Sequence, residues 1–142
     1  MGGLLLFQYD DGGRAAAGYR GRARDCATRA IAIATGCAYQ DIYRALAEEA
    51  AAEAVLRRNH PRSGLRKHTV KRYLNRIGWR WTATMHIGSG CRVHLRHGEL
   101  PGGRLIVAVS KHVCAVIDGV LHDTHDCSRG GRRCVYGYWM AS

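Results

Sequence analysis

Cys26 stands near the head of the run Asp25-Cys26-Ala27-Thr28-Arg29-Ala30-Ile31-Ala32-Ile33-Ala34-Thr35-Gly36. Asp25 suits an N-cap and Gly36 the position just past a helix end, so the run predicts a short helix. Nearly every position between them is small or apolar, which predicts burial on most sides. A cysteine in the first turn of such a helix meets free N–H groups and the positive end of the dipole, and both favour thiolate over thiol. The same N–H groups can hold the negative oxygen of a tetrahedral intermediate. A nucleophilic cysteine also needs a base, and the base needs an orienting group.

A later hairpin supplies both. Asp118-Gly119 is a type I′ turn signal between two apolar runs. As a two-residue turn it sets 117 opposite 120, 114 opposite 123 and 112 opposite 125. His112 and Cys114 then share a face with Asp123 and His125, because side chains alternate with period two. Asp123 becomes the diagonal neighbour of His112, at the roughly 7–8 Å spacing from which a carboxylate reaches an imidazole. Asp126 is out of phase, and a one-residue slip would turn Asp123 to the other face. Cys26, His112 and Asp123 are the candidate nucleophile, base and orienting acid.

Residues 8–24 are rich in Gly, Arg and Ala, with a turn signal at Asp10-Asp11-Gly12-Gly13, and predict an extended basic lead-in. After the Cys26 helix, a second runs from Gln40 or Asp41 through Ile42, Leu46 and Ala50 towards Leu56, with Arg57-Arg58 at its negative end. Pro61, Ser63 and Gly64 interrupt the pattern. A third helix over Lys67–Arg76 puts Val70, Leu74 and Ile77 on one face and ends before Gly78. Trp79–His86 alternates as a strand, and 88–103 is glycine-rich, with a short helical turn expected around Val93 and Leu95. Strands follow at 104–109, 112–117, 120–124 and 133–140. The expectation is a single α+β domain over 1–142: a lead-in at 1–24, a helical half at 25–77 and an antiparallel sheet half at 79–140.

This layout resembles the papain-like cysteine peptidase superfamily, especially its small bacterial and phage members. The matching pieces are Asp25-Cys26-Ala27-Thr28-Arg29-Ala30, then Tyr39-Gln40-Asp41-Ile42-Tyr43, and later the stretch from Lys111-His112-Val113-Cys114 through Leu121-His122-Asp123-Thr124. The resemblance spans about residues 25–124 and rests on few positions. It implies a papain-like fold and hydrolysis of peptide or isopeptide bonds. By the same resemblance Cys26 is the nucleophile, His112 the general base and Asp123 the residue that orients it, with no cofactor and no metal. The family usually places a glutamine shortly before the cysteine, as an oxyanion donor. Arg20-Gly21-Arg22-Ala23-Arg24-Asp25 contains none. Gln8, with 9–24 looping back, and the backbone N–H of Cys26 are the oxyanion candidates.

Composition bounds the alternatives. At 142 residues the chain is long enough for one core, and 46% hydrophobic against 23% charged residues excludes a disordered chain. No apolar run approaches the roughly 20 residues that a bilayer needs, so no membrane partner is expected. The start lacks the pattern of a secretory signal, which makes cytoplasm the expected location, or a virion for a phage protein. By the same token the six cysteines are expected reduced: Cys37, Cys91 and Cys114 as packing residues, Cys127 and Cys134 as surface thiols. Zinc held among His122, His125, Cys127 and Cys134 fits no familiar spacing. The net charge of +11 gathers in arginine clusters: Arg14, Arg20, Arg22 and Arg24; Arg57, Arg58, Arg62, Arg66 and Arg72, with Lys67 and Lys71; and Arg129, Arg132 and Arg133. Such a surface suits an acidic protein or peptide substrate, a nucleoprotein assembly, or nucleic acid, although no recognition motif accompanies it. An inactive papain-like scaffold with a binding or structural role is the rival to the enzyme. The excess of arginine, with so much Ala and Gly, fits a GC-rich genome as well as a function.

Overall fold

A computed structural model describes residues 3–53 and 59–141. In chain order the elements are β1 (Leu6–Tyr9), α1 (Cys26–Thr35), α2 (Tyr39–Ala51), α3 (Lys67–Arg76), β2 (Trp79–Ala83), β3 (Arg104–Val109), β4 (His112–Ile117), β5 (Val120–Asp123) and β6 (Gly137–Ala141). The fold is α+β, with three helices and one six-stranded sheet of order β1-β5-β4-β3-β6-β2 among the described residues. The lead-in is not merely extended: it supplies β1, which pairs parallel to β5 at the sheet edge and makes the sheet mixed.

Strand alternation divides the interior in two. Leu105, Val107 and Val109 of β3 join Cys114, Val116 and Leu121 in a cluster on one face. Ile106 and Ala115 point the other way, into a cluster with Ile31, Ile42, Leu46 and Leu74 from the three helices. In α1 the alanines let the helix lie close against β3 and β4, and seven of its ten residues are buried. Its end follows expectation: Gly36 adopts φ +75° and returns its N–H to Ala32. Its start does not, because the Asp25 side chain caps no N–H and is drawn elsewhere.

In α2, Ile42, Leu46 and Ala50 are buried at four-residue spacing. Buried Glu49 beside them pairs with Arg72 and Arg76 of α3. The expected continuation to Leu56, with Arg57 and Arg58, lies outside the described residues. In α3 the buried residues are Thr69, Tyr73 and Leu74; Ile77, expected inside, follows the last turn and is exposed. Asp118 and Gly119 both take positive φ (47° and 80°), as a type I′ turn requires, and the β4–β5 register pairs 117 with 120 and 115 with 122.

The expected helical turn at Val93 and Leu95 is absent: His94 bridges to Cys134, and Leu95 is buried in the bend that follows. The last strand starts at Gly137 rather than Arg133, because residues 134 and 135 are taken up by pairing with 93 and 94. Cys91 and Cys134 form a disulfide with Cα atoms 5.8 Å apart, so neither is the reduced thiol expected. Cys127 is buried rather than on the surface, and Cys37 is exposed rather than packed. Among the described residues no helix is long and apolar enough to cross a membrane.

Candidate active site

Cys26 is the first residue of α1, so its own N–H and the next ones have no acceptor within the helix. His112 opens β4, and Asp123 closes β5. Continuing the β4–β5 register sets Asp123 beside Cys114, one diagonal step from His112. The structure brings the three together. His112 Nε2 meets Asp123 Oδ2 at 2.7 Å, and Asp123 is almost wholly buried. The Cys26 thiol lies against the His112 ring, and both line a cleft of about 520 Å³.

Electrostatics favour an ion pair. Burial pushes the Cys26 thiol up. The hydrogen bond with His112, the N–H of Val113 and the charges of His112 and Arg29 together outweigh it, leaving the thiol below its ordinary value. Burial would lower His112, but its bonds with Asp123, Cys127 and Cys26 lift it to about 11. Asp123 is penalised by burial, yet the His112 bond and charge hold its carboxyl below the usual range.

Several participants went unread in the sequence. Arg29, one helical turn after Cys26, pairs with Asp25 and also reaches Asp123 Oδ1 at 3.4 Å. Asp25 further accepts the Tyr39 hydroxyl at 2.6 Å and lies 3.4 Å from Arg14. This charge-assisted set explains why Asp25 leaves the helix end uncapped. The three-residue spacing of Cys26 and Arg29 was the available signal. Cys127 approaches His112 from the sheet face opposite α1; hydrogen bonding from Cys114 and His112 lowers its thiol, while Cys114 is raised.

Gln8 is not at the site. On β1 it is paired with His122, is exposed, donates its amide to the Tyr9 carbonyl and lines no part of the cleft. Parallel pairing with β5 places it on the sheet edge, and of the two oxyanion candidates Cys26 alone borders the cleft. The zinc set does not converge either: His122 lies 3.4 Å from Asp10, and Cys134 is in the disulfide. Instead His112, Asp123 and His125 bring ligand atoms within 4.8 Å of one another.

The arginine clusters are partly consumed within the fold. Arg14 and Arg62 bond carbonyls of residues 20–22, Arg72 pairs with Glu49 and Glu53, and Arg133 bonds the carbonyls of Ser110 and Cys127. Arg20, Arg22, Arg24, Arg129 and Arg132 remain exposed, and Arg24 borders the cleft.

No protein-family model matches the chain, and neither a curated protein nor a solved structure matches it.

Proposed function

We propose that the protein is a cysteine-dependent acyl-transfer enzyme of papain-like type that hydrolyses peptide or isopeptide bonds. The observation that carries this reading is the convergence at one cleft of a helix-start thiol and an imidazole, the imidazole held at 2.7 Å by a buried carboxylate.

With Nε2 committed to Asp123, Nδ1 is the His112 atom that takes the thiol proton. The Cys26 sulfur then attacks the carbonyl carbon, and the carbonyl π electrons move onto oxygen, towards the N–H groups at the start of α1. Collapse of the intermediate breaks the C–N bond. The amine leaves with the proton from His112, and a thioester on Cys26 remains. Water adds next, giving its proton to Nδ1. Breaking the C–S bond releases the carboxylic acid and restores the thiolate–imidazolium pair. Throughout, Asp123 keeps the ring oriented and balances its charge.

The test is acylation by p-nitrophenyl acetate, followed by release of p-nitrophenolate and by intact mass. The expected result is a burst near one equivalent, with the acetyl group on Cys26 and steady turnover after it. Cys26→Ala abolishes both. A protein that takes no acetyl group on Cys26, or keeps it without turnover, is a binding scaffold instead. The cleft lining offers that rival one point, since among the described residues it includes no glutamine or asparagine to serve as a side-chain oxyanion donor.

A further inference from the structure

We infer that the cleft is built to bind an acidic peptide segment, with an apolar side chain on its aromatic floor and flanking carboxylates on Lys67, Lys71 and Lys111. This deepens the reading of Cys26 as an acyl-transfer nucleophile and rests on it.

Composition makes the first point. Of 22 basic residues only these three are lysine, and all three line the cleft; among the described arginines only Arg24 does. The three lysines are exposed. Eleven carboxylates exist in the chain, yet none lines the cleft. Among the described residues, none of the three lysines nor Arg24 pairs with a carboxylate. Elsewhere buried carboxylates take the cations: Glu49 pairs with two arginines and Asp25 with two more.

Two of the lysines also sit where local stability disfavours them. Lys111 takes φ +57° in the turn between β3 and β4, a left-handed conformation that glycine or asparagine fills more readily. The other hairpin turn uses Asp118-Gly119, residue types that take positive φ more readily. Lys67 is the first residue of α3, whose first turn holds no acid, and there the helix dipole repels a cation.

The floor of the cleft explains why lysine serves and arginine does not. Trp81, Tyr136 and Trp139 form it, with Leu65 and Val70 beside them. The Lys67 ammonium is 6.0 Å from the centre of the Tyr136 ring. A planar guanidinium would stack on these rings and cover the apolar surface, whereas an ammonium on a flexible stem stays at the rim and follows a carboxylate. A polynucleotide track would draw on arginines, which grip phosphate with two donors, and among the described arginines Arg24 alone borders the cleft.

Binding is tested on Cys26→Ala, separately from turnover. A fluorescent decapeptide with Glu and Asp around a central Phe-Leu is compared by anisotropy with its Gln/Asn counterpart and with oligo(dT). The acidic peptide is expected to bind about ten-fold more tightly than the amide version, and to weaken as salt rises. Adding Lys67→Gln, Lys71→Gln and Lys111→Gln removes that preference, whereas arginine at the same three positions keeps the preference for acidic over amide peptide but weakens binding of both, because its guanidinium covers the aromatic floor. In the enzyme with Cys26 intact, the triple Gln variant raises KM for the acidic peptide and leaves kcat unchanged. Equal binding of acidic and amide peptides overturns the inference while leaving the acyl-transfer reading in place. Displacement of the peptide by oligo(dT) at lower concentration overturns the choice of a peptide. Lysine-dependent binding with neither cleavage nor acylation of Cys26 upholds the acidic-peptide site and overturns the enzyme.

Discussion

Alkylation of Cys26 at acid pH follows directly from the site geometry. At pH 6 a thiol of ordinary pKa near 8.5 is only about 0.3% ionised, so full conversion to thiolate gives at most ~300-fold more reactive species. The lower intrinsic nucleophilicity of an acidic thiol reduces that ceiling to roughly 20-fold in rate. Burial is the largest single influence on Cys26 and acts against ionisation; His112 supplies two of the four influences that oppose it. His112→Ala therefore leaves burial opposed only by the Val113 N–H and Arg29, and the advantage should vanish. Exposed Cys37 is the internal reference. Trypsin separates the two thiols, with Cys26 in Asp25–Arg29 and Cys37 in Ala30–Arg44, so iodoacetamide uptake at each is read by peptide mass. The upper limit of the ion pair has its own sign. His112 is raised to about 11, so its contribution is complete below about 6.5 and is lost as pH rises towards 11. Asp123→Asn removes the largest influence that raises His112, and the alkaline limb should move to lower pH. Equal rates for Cys26 and Cys37 at pH 6, or an advantage that survives in His112→Ala, would refute the ion pair.

Two further outcomes test the scaffold around the site. A Cβ at Gly137 would run into the Trp81 ring and lie 2.6 Å from the Thr82 carbonyl oxygen, so Gly137→Ala should cost about 1–3 kcal/mol in urea unfolding. It should also raise KM by displacing the cleft wall without slowing Cys26 alkylation. The Cys91–Cys134 bridge spans 43 residues, for which loop-closure entropy gives about 4 kcal/mol; Cys91→Ser with Cys134→Ser should lower stability by up to that amount, measured by guanidinium unfolding.

Local signals carried much of this architecture. The Asp118-Gly119 turn and the period-two pattern around it set the β4–β5 register, and that register alone placed Asp123 diagonal to His112. The α3 bounds and the Gly36 stop were equally legible, because each rests on residues within one turn. What stayed hidden depended on partners far along the chain. All four residues of β1 are exposed, so no alternation announced the strand, and its register is set by β5 more than 110 residues later. Gln8 was misplaced for that reason. The Cys91–Cys134 bridge likewise joins an irregular loop to the approach of β6, with no spacing to mark it.

The site was more legible than its support because its chemistry sits at element ends, which sequence marks, while its support runs across elements. Arg29 shows the difference. It lies on α1 one turn from Cys26, and its guanidinium is shared between Asp25 at the helix start and Asp123 on β5. Asp123 in turn fixes Nε2 of His112, whose ring faces Cys26. The thiol, the carboxylate and the imidazole are thus tied to a single helix: α1 presents the thiol through Cys26 and, through Arg29, steadies the carboxylate that holds the imidazole against that thiol. A shift of α1 along the sheet would move Cys26 and Arg29 together. The fold therefore secures the helix most heavily, with seven buried residues against β3 and β4 and with Tyr39 and Arg14 both on Asp25.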